Sequence, residues 1–196
     1  MKVKHRKKNK TKPKRIRRWH VMLSLLPEGH PLIGVEIGVR KAECSIKLLE
    51  ARPLLMLHLV DPWEEYTAED SANYGRLYSQ DKKNVDYRAA LENIKPFGDR
   101  AIVHKMTSMQ AADVIQGELD FVFVDGNHSY EHTSFDINEW WEHLRPGGWM
   151  AIHDYNTKYR GVVRAVNEFV GKIDTLVFTG ADDLIVLHKG ACSGII

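Results

Sequence analysis

Hydrophobic positions in this chain follow two rhythms. Runs that are almost wholly apolar cover residues 32–38 and 54–60, and shorter, mainly apolar runs cover 101–106, 119–124 and 149–153. Strands buried on both faces read this way. Between them lie longer segments whose apolar residues recur every three or four positions, as amphipathic helices require. These segments predict helices over 19–26, 41–51, 82–94, 110–116, 130–144 and 160–171. Breakers punctuate them: Pro27, Gly29 and Pro31, then Pro53, then Pro96 and Gly98, then Pro146-Gly147-Gly148. Two last strands, 174–179 and 183–188, flank Gly180-Ala181-Asp182. Short strands alternating with helices predict a three-layer α/β sandwich whose first five strands run parallel. Residues 62–80 fit neither rhythm. A stretch of that length without regular structure suits a lid or a binding segment. Its aromatics, Trp63, Tyr66, Tyr74 and Tyr78, either line a pocket or pack for stability.

The stretch from Leu32 to Asp61 organises the rest. An apolar run ends in Glu36-Ile37-Gly38, a helix follows, and a second apolar run ends in Asp61. This is one βαβ unit, and ligands of such sheets sit at the carboxyl ends of the strands. Gly38 falls where the chain turns and where a ligand approaches the backbone closely. Asp61 is placed to accept hydrogen bonds from ribose hydroxyls. The GxGxxG phosphate cradle is missing, since Gly38 stands alone and Ala42 takes the later small position. A dinucleotide is therefore disfavoured, and a nucleoside without phosphates fits better.

Composition divides the chain in two. Eleven of the 28 basic side chains fall in residues 1–18, with no acid among them, which leaves 17 basic against 26 acidic side chains in the remainder. A block of like charge repels itself and stays disordered. We therefore expect a disordered basic arm over 1–18, a domain over 19–190 and a short tail over 191–196. The arm is either a solvated extension or an electrostatic hold on nucleic acid. No apolar run reaches the ~20 residues of a membrane span. The basic start lacks the apolar centre of a secretory signal, and Cys44 and Cys192 have no ligand-spaced partners, so a reducing, cytoplasmic setting is expected.

The Glu36-x-Gly38 turn, Ser45 and Asp61-Pro62-Trp63 resemble the first two motifs of class I S-adenosylmethionine-dependent methyltransferases. The runs Asp120 to Tyr130, with Asp125-Gly126-Asn127-His128-Ser129-Tyr130, and Leu144 to Tyr155, ending His153-Asp154-Tyr155, resemble the later motifs of that group. They are most similar to a small-molecule O-methyltransferase branch with Asp-Gly-x-His-x-Tyr. The resemblance spans about residues 20–190. It implies a Rossmann-like, seven-stranded, mostly parallel sheet closed by an antiparallel last strand, with S-adenosylmethionine as donor. Glu36 and Gly38 would bound its methionine end, Asp61 its ribose, and Ser108 and Met109 its adenine, while Asp125 would lie beside the methyl and the acceptor. A helix N-cap is the other role open to Ser108. Ala42, where many members have glycine, would narrow the room near the ligand.

Methyl transfer needs the acceptor held in line and deprotonated. Asp125 and Asp154, at the ends of neighbouring strands, form a possible Mg²⁺ site that would lower a hydroxyl's pKa. Tyr155 stands where metal-dependent relatives have a further ligand. Without metal, His128 would serve as general base, ahead of His153. The acceptor is then a small molecule such as a sugar or secondary metabolite. Two other readings stand: a methyltransferase-like domain that binds a nucleoside or nucleic acid without turnover, and an RNA methyltransferase guided by the arm. The resemblance also reaches a branch described as hydroxylases of antibiotic nuclei. Trp140 and Trp141, adjacent on one helix, are expected to mark an interface of a homo-oligomer.

Overall fold

The apolar runs form strands in the computed structural model of the protein, which describes residues 15–65 and 78–190. In chain order these are β1 (Leu32–Ile37), β2 (Leu55–Val60), β3 (Ala101–His104), β4 (Leu119–Val124), β5 (Leu144–Ile152), β6 (Leu176–Thr179) and β7 (Ile185–His188). They make one sheet in the order β3-β2-β1-β4-β5-β7-β6. The first five pair in parallel, and β7 runs antiparallel to both β5 and β6. The expected three-layer sandwich with an antiparallel last strand is the observed architecture.

Among the described residues six α-helices cover the sheet: α1 (Arg18–Leu25), α2 (Glu43–Ala51), α3 (Gln80–Ile94), α4 (Ser108–Val114), α5 (Tyr130–His143) and α6 (Arg160–Val170). One face packs Met22, Leu48, Leu49 and Ala90 from α1, α2 and α3 against Leu57, Leu59 and Phe123. The other packs Ile137, Trp140 and Val166 from α5 and α6 against Val35, Ile37 and Val122. Each Val, Leu, Ile, Met or Phe among them contributes about 1.5–3 kcal/mol through burial. Arg52 is also buried, and its guanidinium donates to Leu23 O (2.5 Å) and Leu26 O (2.7 Å). It thereby closes the carbonyl end of α1 and ties it to α2.

The chain reverses direction across the sheet between β1 and β4, so the loops after these two strands part and leave a crevice at their carboxyl ends. Gly38 sits in that crevice with φ +88°, and a Cβ there would lie 2.1 Å from Asp125 O. Only glycine fits.

Several expectations are corrected. Helix α1 starts at Arg18, and Arg15, Arg17 and Arg18 pair with acids of the body. The last residues of the basic stretch therefore belong to the folded part rather than to a disordered arm. Thr107, not Ser108, caps α4: its hydroxyl accepts from Gln110 N, and Gln110 Oε1 accepts from Thr107 N. Trp140 and Trp141 are both buried and mark no exposed interface, because α5 presents Trp140 to the sheet and Trp141 to Phe169 of α6. Ala42 is fully buried among core residues and is not in the wall of either cavity described below, where it was expected to narrow the ligand's room. Its φ of 63° is left-handed, which accounts for a glycine preference at that position. Residues 1–14, 66–77 (with Tyr66 and Tyr74) and 191–196 (with Cys192) lie outside the described residues.

Candidate active site

Two cavities open at the carboxyl ends of the strands, of about 560 and 610 Å³. Gly38 and Asp61 line both. The first cavity also takes Glu36, Asp125, His128 and Asp154, and the second takes Ser108 and Met109. Every residue that the sequence singled out as a site residue thus lies on one connected crevice.

Glu36 ends β1 and is fully buried. Burial drives its carboxyl up to about 8 against the hydrogen bond from Ser45 Oγ (2.5 Å), so it is largely protonated near neutrality. Asp61 is 7% exposed. Its Oδ2 accepts from Arg40 N (2.9 Å) and its Oδ1 from Trp63 N (2.8 Å). Arg40 (φ 54°) and Trp63 (φ 47°) are both left-handed, a conformation costing about 1–2 kcal/mol each. Asp61 therefore folds the loops after β1 and β2, and Trp63 Nε1 seals them by donating to Arg40 O (2.7 Å). The Val39 N–H also bonds this carboxylate; a carboxylate has about four acceptor sites, so three bonds to backbone leave room for one hydroxyl in the crevice. Desolvation raises the Asp61 pKa, opposed by these N–H groups.

Ser108 Oγ accepts from Trp140 Nε1 (2.7 Å) and also bonds the carboxyl of Asp136. Its hydroxyl is occupied inside the protein, and Ser108 shapes the second cavity by position. Met109 is 59% exposed on the rim of that cavity.

Asp125 and Asp154 follow β4 and β5, side by side in the sheet. Their carboxylates interleave with two imidazoles. His128 Nε2 lies 2.7 Å from Asp154 Oδ2, and His153 Nδ1 lies 3.0 Å from Asp125 Oδ1 and 3.2 Å from Asp154 Oδ2. Burial alone would lower the His153 pKa, but the two carboxylates overcome it and hold the ring protonated, at about 9. Burial would raise Asp154, but hydrogen bonds from His128 and His153 hold it well below the usual carboxylate range. Asp154 is itself left-handed (φ 59°), a strained placement that turns its carboxylate toward His128. Asp125, His128 and Asp154 each offer one ligand atom, all within 4.8 Å of one another, a set able to hold a cation.

The family model described as a methyltransferase domain matches residues 35–155, from β1 through the end of β5. The chain belongs to this methyltransferase family. One curated relative, the uncharacterized protein R132 of Acanthamoeba polyphaga mimivirus, is 33% identical over 64 residues, which is 31% of this chain and 28% of that protein. Among solved structures, this chain shares its fold with the precorrin-6y C5,15-methyltransferase of Geobacter metallireducens. That match has TM-score 0.63 and 15% identity, over 88% of this chain and 87% of that one. The O-methyltransferase TomG of Streptomyces achromogenes, solved with SAM, has TM-score 0.57 and 13% identity, over 88% of this chain and 77% of that one.

Two residues of the crevice, Arg18 and Asp136, and Asp182, which braces Arg18, escaped the sequence reading. Arg18 was submerged in a run of like charges, yet its Nη1 bonds Asp125 Oδ2 at 2.8 Å. Asp182, in the β6–β7 turn, accepts from Arg18 N (3.3 Å) and Arg15 Nη2 (2.9 Å). Asp136 is buried on the second cavity's wall, and burial raises it to about 7 despite the Ser108 hydrogen bond. A signal existed for Asp136 alone: it is an acid on the face of α5 that carries Thr133, Ile137 and Trp140.

Proposed function

We propose that the protein transfers a methyl group from S-adenosylmethionine to a hydroxyl of a small molecule. The convergence of Asp125, His128 and Asp154 over the first cavity carries this reading. It sets proton-handling groups beside a crevice of nucleoside size. The residues fit the donor. Glu36, held neutral, and Gly38 bound its methionine end; Asp61 retains acceptor capacity for ribose; Ser108 and Met109 edge the cavity for adenine. The donor supplies a methyl on a positively charged sulfur, already activated, so the chain's own work is positioning and deprotonation.

His128 is the base in this reading. The carboxylate of Asp154 orients its ring through Nε2 and stabilises the imidazolium that proton uptake creates. Protonated His153 and Arg18 together neutralise Asp125. A divalent cation held by Asp125, His128 and Asp154 would do the same task by lowering the hydroxyl's pKa. With an imidazole in the set, Mn²⁺ or Zn²⁺ suits it better than the all-oxygen Mg²⁺. One observation favours a second acceptor class: the basic residues 15–18 end at the crevice itself, so a nucleic-acid acceptor guided by residues 1–18 is the runner-up.

The test is calorimetric titration with S-adenosylmethionine and S-adenosylhomocysteine, followed by labelled-methyl transfer to catechols, sugars and RNA. Micromolar binding, with transfer to a hydroxyl compound lost in His128→Gln, is the expected result. Absence of binding by either ligand refutes the donor site. Transfer to RNA alone selects the runner-up.

A further inference from the structure

The first cavity holds one feature that the reading above leaves unused. Arg18 lines it beside Glu36 and Gly38. Its guanidinium is fixed from one side by Asp125, at 2.8 Å, and its main chain is pinned by Asp182. Its Nε–H is buried, and no hydrogen-bond acceptor among the described residues reaches it. A buried donor without an acceptor is costly, and native proteins rarely leave one. Glu36, in the wall of the same cavity, is largely protonated and offers little charge to it. The group therefore waits for an acceptor that enters with a ligand.

On the proposed donor reading, the ligand's methionine end offers one anionic acceptor. Its sulfonium and its ammonium are cations and would be repelled by a guanidinium. Its carboxylate matches the flat, multiple-donor edge of arginine. We propose that Arg18 anchors the donor's amino-acid carboxylate, so that the end of the basic N-terminal stretch is part of the cofactor site. The Asp125–Arg18 pair then links the two halves of the crevice. Asp125 faces the acceptor side and holds the guanidinium, and the guanidinium holds the donor. Arg18 is a positioning residue in this scheme and touches no reacting atom.

The experiment compares S-adenosylhomocysteine with its decarboxylated analogue, S-adenosyl-3-thiopropylamine, by calorimetry on the full chain. Wild-type protein should prefer the carboxylate-bearing ligand by about ten- to a hundredfold, the range for a charged hydrogen-bonded contact. In Arg18→Met the two ligands should bind within a factor of about three of each other. A residue that merely shapes the site would weaken both ligands equally and keep the preference. That result, or no preference in the wild type, overturns the proposal. If Arg18→Met fails to fold, Arg18→Lys carries the same test: it keeps the charge beside Asp125 but lacks the Nε–H, and the preference must still fall. Wild-type protein that binds neither ligand overturns the donor site, and this proposal with it; binding without carboxylate preference overturns this proposal alone.

Discussion

Replacing Asp136 by asparagine should stabilise this protein at pH 8, by an amount that shrinks steadily as the pH falls toward 4. The carboxyl is completely buried, and burial moves its pKa from the ordinary 3.8 to about 7 even though Ser108 bonds it. One pKa unit corresponds to 1.36 kcal/mol, so a shift of roughly three units is about 4 kcal/mol. The sign follows from proton counting. Below about pH 4 the group is protonated in both folded and unfolded chains and adds no pH dependence. Between about 4 and 7 the unfolded chain releases its proton while the folded one keeps it, so stability falls as pH rises. Above 7 both forms are ionised and the loss is complete.

Asparagine has nearly the shape of the protonated carboxyl and retains an acceptor for Ser108, yet it does not titrate. The variant should therefore escape the loss. Urea unfolding of both proteins at pH 5, 6, 7 and 8 reads it directly, since every other titrating group cancels in the difference. The expected difference grows by about 2–3 kcal/mol between pH 5 and pH 8, with the variant the more stable at pH 8. A difference that stays flat with pH, or one that favours the wild type at pH 8, would refute the reasoning. It would mean that Asp136 is ionised in the folded protein and has a cationic or aqueous partner.

Gly38→Ala should cost more than about 3 kcal/mol or abolish folding, because the new Cβ meets Asp125 O at 2.1 Å in a left-handed backbone; near-normal urea stability would show that β1 and β4 can part at this point. Arg52→Met should cost about 2–4 kcal/mol by orphaning buried carbonyls, since Leu23 and Leu26 both accept from it; thermal melting that matches the wild type would count against it. If the Asp125, His128 and Asp154 set takes a cation, Asp154→Asn should weaken Mn²⁺ binding at least about tenfold, as lost metal-site groups typically do, while S-adenosylhomocysteine affinity stays put. Calorimetry showing no Mn²⁺ bound by the wild type removes the metal from the mechanism and leaves His128 as the base.

The parts of this molecule that the sequence reveals are those set by local rhythm. β1, β2, β4 and the helices α2, α3, α5 and α6 came within about two residues of their observed ends, because apolar period and flanking proline or glycine depend on neighbours in the chain. The site acids were legible for the same reason: Glu36, Asp61, Asp125 and Asp154 each end, or directly follow, an apolar run. What was hidden depends on contacts across the chain. Arg18 resembles ten other cations in its stretch until Asp125 and Asp182 select it. Ser108 reads as a cap until Trp140 claims its hydroxyl and Thr107 supplies the cap. Trp140 and Trp141 read as an exposed pair until two different elements bury them. No period or propensity encodes the left-handed turns at Arg40 and Trp63, because a single carboxylate, that of Asp61, enforces both.

This division bears on what remains open about the acceptor. The walls of the second cavity come from strand ends and from α4 and α5, which are periodic elements, and Ser108 and Met109 lie among them. The first cavity draws on Arg18, Trp63, Tyr78, Lys158 and Tyr159, which stand at element ends or in loops. One fold neighbour is named for O-methyl transfer and another for methylation at C5 and C15 of a precorrin, so the shared sheet leaves the accepting atom open. Discrimination among acceptors must then lie in those irregular residues. Changes to Tyr78, Lys158 and Tyr159 should alter which compound is methylated while S-adenosylhomocysteine affinity holds; Arg18, which faces both sides, and Trp63, which is buried and holds Asp61, are the exceptions.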